Sequence, residues 1–180
     1  MSRQTILVIR HAEKPGQDGS IGVSESGAGD PNQLSVRGWQ RAGALTQLFS
    51  GESVRHPGDT KPDWLIAAAP SDDHPSLRSV STLTPLSRLL NLPLSREFTP
   101  GDEEALAQHL DSLDGTILVA WEHKRIPQLA RHLMSGDDIV PISWPDDRFD
   151  LIWLFVRADT QPRRFVQLPQ LLLDRDSPAE

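Results

Sequence analysis

Ile6-Leu7-Val8-Ile9 runs directly into Arg10-His11-Ala12-Glu13-Lys14, and the reading of these nine residues decides the fold. Four consecutive apolar residues, three of them β-branched, have no polar face to show to water. They predict a strand buried on both sides, as in a parallel sheet covered by helices. The charged residues begin where the apolar run stops. In open α/β sheets the ligand crevice lies outside the carboxyl ends of the strands, so Arg10 and His11 stand where a site is expected.

Two more runs have the same form. Trp64-Leu65-Ile66-Ala67-Ala68 leads into the polar turn 70–75 and then Arg78, and Ile117-Leu118-Val119-Ala120 ends in Trp121-Glu122-His123. Helices are expected between the strands. Ser35 is placed to cap one over Val36 to Phe49, with Ala42, Leu45, Leu48 and Phe49 on its buried stripe. Further helices are expected over 76–90, 102–113 (Leu106 and Leu110 four apart) and 126–134. A short strand is expected over 94–98, and late strands over 150–157 and 164–168 read as a hairpin or edge pair. The stretches 12–33 and 50–63, rich in loop-forming residues, are loops. Strands alternating with helices give an α/β sandwich with a mainly parallel sheet. One domain over 1–173 and a frayed tail over 174–180 are expected.

Composition narrows the function. The chain has 180 residues, enough for one domain with its own core, and no cysteine, which excludes disulfides, thiol catalysis and zinc–thiolate sites. Its net charge of −7 disfavours a general nucleic-acid or anionic-membrane binder. A local basic pocket for a phosphorylated ligand remains compatible with it. No apolar window reaches membrane-spanning length, and no signal-peptide pattern precedes the first strand, so a cytoplasmic protein is expected. Oligomeric state is left open.

If the strands are parallel, Arg10, His11, Arg78 and His123 converge on one crevice. Two guanidinium forks and two imidazoles suit a phosphoryl group. Arg10-His11-Ala12-Glu13-Lys14 resembles the Arg-His-Gly signature of the histidine phosphatase superfamily, and three later blocks resemble that family in the same order. Leu34-Ser35-Val36-Arg37-Gly38-Trp39-Gln40-Arg41-Ala42 is similar to its Leu-Ser/Thr-x-x-Gly helix start, Arg78-Ser79-Val80-Ser81-Thr82 to its Arg-x-x-x-Thr helix, and Ile117 to His123 to the strand delivering its second histidine. The Arg-His-Ala-Glu-Lys and Trp-Glu-His forms are similar to a bacterial subgroup.

The resemblance implies a three-layer α/β/α sandwich of the phosphoglycerate-mutase-like fold. It implies a phosphatase that acts on a phosphomonoester or a phosphorylated protein side chain, with no metal or other cofactor. His11 would be the nucleophile that becomes a phosphohistidine, its other ring nitrogen held by an acceptor such as a backbone carbonyl. Arg10, Arg78 and His123 would hold the phosphoryl oxygens. Lys14 and Glu122 are candidates for substrate contact, and Lys124-Arg125 for steering anions. Glu122 is otherwise a structural partner or a proton donor.

The sequence departs from the family in three ways. Ala12 replaces the usual glycine, which requires a negative φ there. The stretch 71–75 looks like a small insertion. Lys124, not an aspartate, follows His123, so the general acid is sought at Glu13 or Glu97. A phosphoglycerate-mutase-type phosphotransferase, a phosphate-binding module without chemistry and a metallophosphatase are the alternative readings. His56, His74, His109 and His132 lack metal-site spacing, and His74 is expected to face solvent more readily than the pocket. The pairs Asp72-Asp73, Asp137-Asp138 and Asp146-Asp147 are expected to be solvated loop charge. Trp39, Trp64, Trp144 and Trp153 are expected at the core or its edge, and Trp121 as a core residue or a wall of the cleft.

Overall fold

A computed structural model describes residues 3–16, 19–51, 60–136, 139–158 and 161–178. His56 and the pair Asp137-Asp138 lie outside the described residues. In chain order the elements are β1 (Arg3–Arg10), α1 (Val36–Phe49), β2 (Trp64–Ala67), α2 (Arg78–Leu90), β3 (Leu94–Ser95), α3 (Glu103–Ser112), β4 (Gly115–Trp121), α4 (Ile126–Leu133), β5 (Leu151–Ala158) and β6 (Arg164–Pro169).

The six strands form one sheet in the order β3-β2-β4-β1-β5-β6. The first four run parallel, β5 is antiparallel to β1, and β6 is antiparallel to β5. The late strands are thus an antiparallel pair at one edge. β1 is longer than its apolar run because it pairs on both sides, from Gln4 with Gly115 to Arg10 with Trp121 on one side and from Arg3 with Ala158 on the other. β3 is shorter than expected because it pairs with β2 alone, and only at Leu94 and Ser95.

Successive residues of a strand face opposite sides, and this divides the core in two. Ile6, Val8, Ile117, Val119 and Trp121 pack with Leu106, Leu110, Leu129 and Leu133 of α3 and α4. Leu7, Ile9, Leu65, Leu118 and Ala120 pack with Leu45, Phe49, Leu83 and Leu86 of α1 and α2. Two helices on each face of a central sheet make the three-layer sandwich.

The start of α1 is tied to the segment after β1. Ser35 Oγ accepts from the Gly38 amide at 3.1 Å, capping the helix, and donates to the Glu13 carbonyl at 3.1 Å. A Cβ on Gly38 would lie 2.3 Å from that same carbonyl oxygen, so only glycine allows this approach.

Trp64, expected at the core or its edge, sits at the exposed start of β2, with Nε1 donating to the Asp114 carbonyl at 3.0 Å. Residues of the C-terminal segment are bonded to the body of the fold. Asp176 is bound by Arg41, and the Ser177 amide donates to Asp150 Oδ2 at 3.0 Å.

Candidate active site

The carboxyl ends of β1, β4 and β2 lie side by side. The ladder continues past the strands, with the His11 amide donating to the Trp121 carbonyl and the Ala68 amide to the Ala120 carbonyl, each at 3.1 Å. A cleft of about 320 Å³ opens over this edge, and His11, Arg78, His123, Lys14, Glu122 and Lys124 are among the residues that line it.

His11 is buried at the floor. Its Nδ1 lies 2.8 Å from the Ala12 carbonyl oxygen. A carbonyl only accepts, so Nδ1 carries the proton and Nε2 keeps its lone pair. Burial, together with the nearby charges of Arg10 and Arg78, pushes the His11 pKa down to about 3 despite the bond to Ala12. The ring is therefore neutral at physiological pH. Ala12 meets the requirement for a negative φ, since it is not among the described non-glycine residues with positive φ.

Arg78 begins α2 and reaches back to the loop before α1. Its Nη2 donates to the Pro31 carbonyl at 2.7 Å and its Nε to the Gln33 carbonyl at 3.3 Å. Thr82, one turn on, connects α2 to β1: its hydroxyl accepts from the Ala12 amide at 2.8 Å and donates to the Arg78 carbonyl at 2.7 Å. A threonine hydroxyl bonding the i−4 carbonyl is a common helix contact. Here its lone pair also fixes the residue next to His11.

Arg10 does not line the cleft. It is buried, Nη1 donating to the carbonyls of Asp146 (2.7 Å) and Arg148 (3.2 Å), with its guanidinium carbon 3.7 Å from the centre of the Phe149 ring. Its Nε and Nη2 are buried without a protein partner. Burial lowers its pKa to about 10, which leaves it charged at neutral pH. His123 is also buried. Its Nε2 lies 2.9 Å from Asp146 Oδ1, and burial, then Arg10, hold its pKa below the ordinary histidine value even with Asp146 beside it.

Of the three carboxylates considered as proton donors, Glu13 and Glu97 are outside the cleft lining. Glu13 points away and is gripped by Arg41, with Nε 3.0 Å from each carboxylate oxygen and Nη2 2.8 Å from Oε1. Glu97 is exposed beyond β3. Among the described carboxylates, Glu122 and Asp73 line the cleft. Arg125 does not line it, whereas His74 does. Trp121 is a core residue rather than a cleft wall: its ring is fully buried, and Nε1 donates to Glu103 Oε1 at 3.0 Å.

Sequence reasoning missed the loop 145–149, which brings Asp146 onto His123 and Phe149 onto Arg10. Asp146 had been placed with the solvated pairs, and it is indeed 87% exposed, but its carboxylate is engaged. Phe149 follows no periodic pattern that would single it out. Among the described residues no three histidine, aspartate or glutamate side chains gather as a metal-ligand set, and no helix is long and apolar enough to cross a membrane.

No family model matches the chain, and no curated protein matches it at a significant level. Solved structures do. The protein histidine phosphatase SixA, complexed with tungstate, is 19% identical with a TM-score of 0.58 over 92% of this chain and 97% of that one. A phosphoserine phosphatase variant from Entamoeba histolytica, in complex with phosphoserine, is 12% identical with a TM-score of 0.53 over 91% of this chain and 95% of that one. Phosphoglycerate mutase from Plasmodium falciparum is 11% identical with a TM-score of 0.55 over 100% of this chain and 99% of that one. At these identities the likeness is one of fold: the chain has the phosphoglycerate-mutase-like architecture.

Proposed function

We propose that the protein is a phosphatase that cleaves a phosphomonoester or a phosphorylated protein side chain through a phosphohistidine on His11. One observation carries the reading: a buried, neutral histidine whose Nδ1–H is held by the Ala12 carbonyl, at the floor of a cleft shared with Arg78 and His123. A merely structural histidine would have both ring nitrogens satisfied. This one leaves Nε2 without a described partner on the cleft side. That phosphatases and a mutase share the architecture, one of them holding tungstate and another phosphoserine, supports the same reading.

In the first step the Nε2 lone pair attacks phosphorus, the P–O bond to the leaving group breaks, and that oxygen takes a proton. In the second, water attacks phosphorus while giving a proton back to the group that protonated the leaving oxygen, the P–N bond breaks, and inorganic phosphate leaves with Nε2 unprotonated again. Arg78 and His123 hold non-bridging oxygens. Arg10, whose Nε and Nη2 have no protein partner, adds positive charge behind them. Fixed cations of this kind offset phosphoryl charge, so the reaction requires no metal. Glu122, at the cleft mouth, supplies the leaving-group proton.

The test is turnover of p-nitrophenyl phosphate by the wild type and His11→Ala, each with EDTA. Turnover that survives EDTA and disappears in His11→Ala is the expected result, with an alkali-stable, acid-labile phosphoenzyme trapped on His11 by rapid alkaline denaturation. Activity that EDTA abolishes would overturn it in favour of a metallophosphatase. Phosphate binding without turnover in the wild type would favour a binding module.

A further inference from the structure

Resting on the phosphatase reading, we propose that Asp146 sets the affinity of the phosphoryl pocket, as a tethered anion that substrate phosphate must displace from His123. Three observations meet at this residue. Its carboxylate accepts from His123 Nε2 at 2.9 Å, although His123 lines the cleft. Its backbone carbonyl accepts from Arg10 Nη1 at 2.7 Å. Its side chain is 87% exposed, so apart from His123 little holds it.

An imidazole Nε2 carries a single hydrogen. It donates to Asp146 or to a phosphoryl oxygen, and two anions on one donor repel each other. Nδ1 of His123 cannot substitute, because it is buried with no partner. A phosphate seated between His11 and His123 therefore needs the Asp146 carboxylate to turn outward, which its exposure allows. The cationic groups at the mouth, Lys14 and Lys124, would hold the arriving anion while the exchange takes place. The consequence is selectivity. Inorganic phosphate brings only its own charge to the exchange and binds weakly, which limits product inhibition. A substrate with contacts at the mouth draws on those as well. Asp146 is thus a positioning residue that acts through His123.

Binding of inorganic phosphate to the full-length protein, measured by titration calorimetry, tests this directly. Asp146→Ala and Asp146→Asn should bind phosphate about fivefold more tightly than the wild type, the scale of an exposed ion pair. Asp147→Asn, which makes the same charge change one residue away and leaves the Asp146 carboxylate on His123, should stay within about twofold. With p-nitrophenyl phosphate, KM should fall by a similar factor in the Asp146 variants while kcat changes less. Equal phosphate affinity in wild type and Asp146 variants, weaker affinity in the variants, or the same gain in Asp147→Asn would overturn the inference while leaving the phosphoryl pocket in place. Absence of phosphate binding in every protein would overturn both the inference and the phosphatase reading.

Discussion

Arg41 grips Glu13 through both carboxylate oxygens, Nε at 3.0 Å from each and Nη2 at 2.8 Å from Oε1, with both side chains buried. Glu13 lies two residues past His11, so this pair anchors the backbone that carries the nucleophile to the middle of α1. It also explains why a carboxylate so close to the nucleophile is unsuited to proton donation: its lone pairs are committed to a guanidinium. Removing one member of a buried pair strands the other. Arg41→Ala should therefore destabilise the fold by about 3–5 kcal/mol, read from urea unfolding midpoints at constant m-value. A loss below about 1 kcal/mol would mean that water replaces Arg41 freely.

Arg41 also holds the tail, through Asp176 at 3.0 and 2.7 Å. Asp176 further accepts from the amides of Leu172 (2.8 Å) and Leu173 (3.0 Å). Burial works against its charged form, but Arg41 and these amides outweigh burial and keep its pKa below the ordinary aspartate value of 3.8. A depressed carboxylate pKa gives stability that is present above the unfolded-state value and is lost as pH falls through the folded-state one. Asp176→Asn should lower stability at pH 7 and reduce the loss between about pH 5 and 2. Unfolding curves for both proteins at several pH values would show it, and parallel pH profiles would refute it.

His11 works in the opposite sense. Its pKa is pushed from 6.5 to about 3, so below pH 6.5 the unfolded chain takes up a proton that the folded chain does not. This group's contribution to stability therefore declines as pH falls from about 6.5 towards 3 and is flat above that range. Nitrogen NMR of the His11 ring should show the Nδ1–H tautomer unchanged from pH 8 to 4. Any acidic fall in turnover across that range must then come from another group. Titration of the ring near pH 6.5 would contradict the burial argument.

Glu122 as proton donor makes its loss dependent on the leaving group. With p-nitrophenyl phosphate the departing phenolate needs little help, and Glu122→Gln should cost less than tenfold in kcat. With an alkyl phosphate, whose alkoxide is strongly basic, the cost should be about 10²-fold or more, the usual scale of general acid catalysis. Equal losses on both substrates would remove Glu122 from the chemistry and leave it a wall of the cleft.

The fold was legible because each long strand is a run of apolar residues ending in charge, and because Ser35 and the stripe of α1 carry their own signals. The floor of the site followed, since strand ends deliver His11 and His123. Trp121 was legible too, on a stricter count: it is in phase with Ile117 and Val119 and so faces the α3–α4 core, where Glu103 receives its indole N–H. Asp146 and Phe149 were not legible. They reach His123 and Arg10 from an irregular loop more than 20 residues away in sequence, and nothing periodic fixes which way such a loop folds back. The sequence brings Arg10 to the crevice as the end of the first strand and through the Arg-His resemblance; which way its long side chain turns depends on the same loop, whose Asp146 and Arg148 carbonyls and Phe149 ring it meets.

The hydroxyl of Thr82 gives a last and narrower test. It accepts from the buried Ala12 amide and donates to the Arg78 carbonyl, so one atom sets the spacing between the nucleophile and the arginine that faces it. Thr82→Val keeps the shape and removes both bonds, leaving the Ala12 amide unpaired at a cost of about 1–3 kcal/mol. Misplacing the two groups by a fraction of an ångström should lower kcat by about 10-fold to 10²-fold. Thr82→Ser keeps the hydroxyl and should recover most of the rate even though it loses a buried methyl. That recovery separates positioning from stability alone. If Thr82→Ser and Thr82→Val lose turnover equally, the methyl group matters and the hydrogen-bonded link does not.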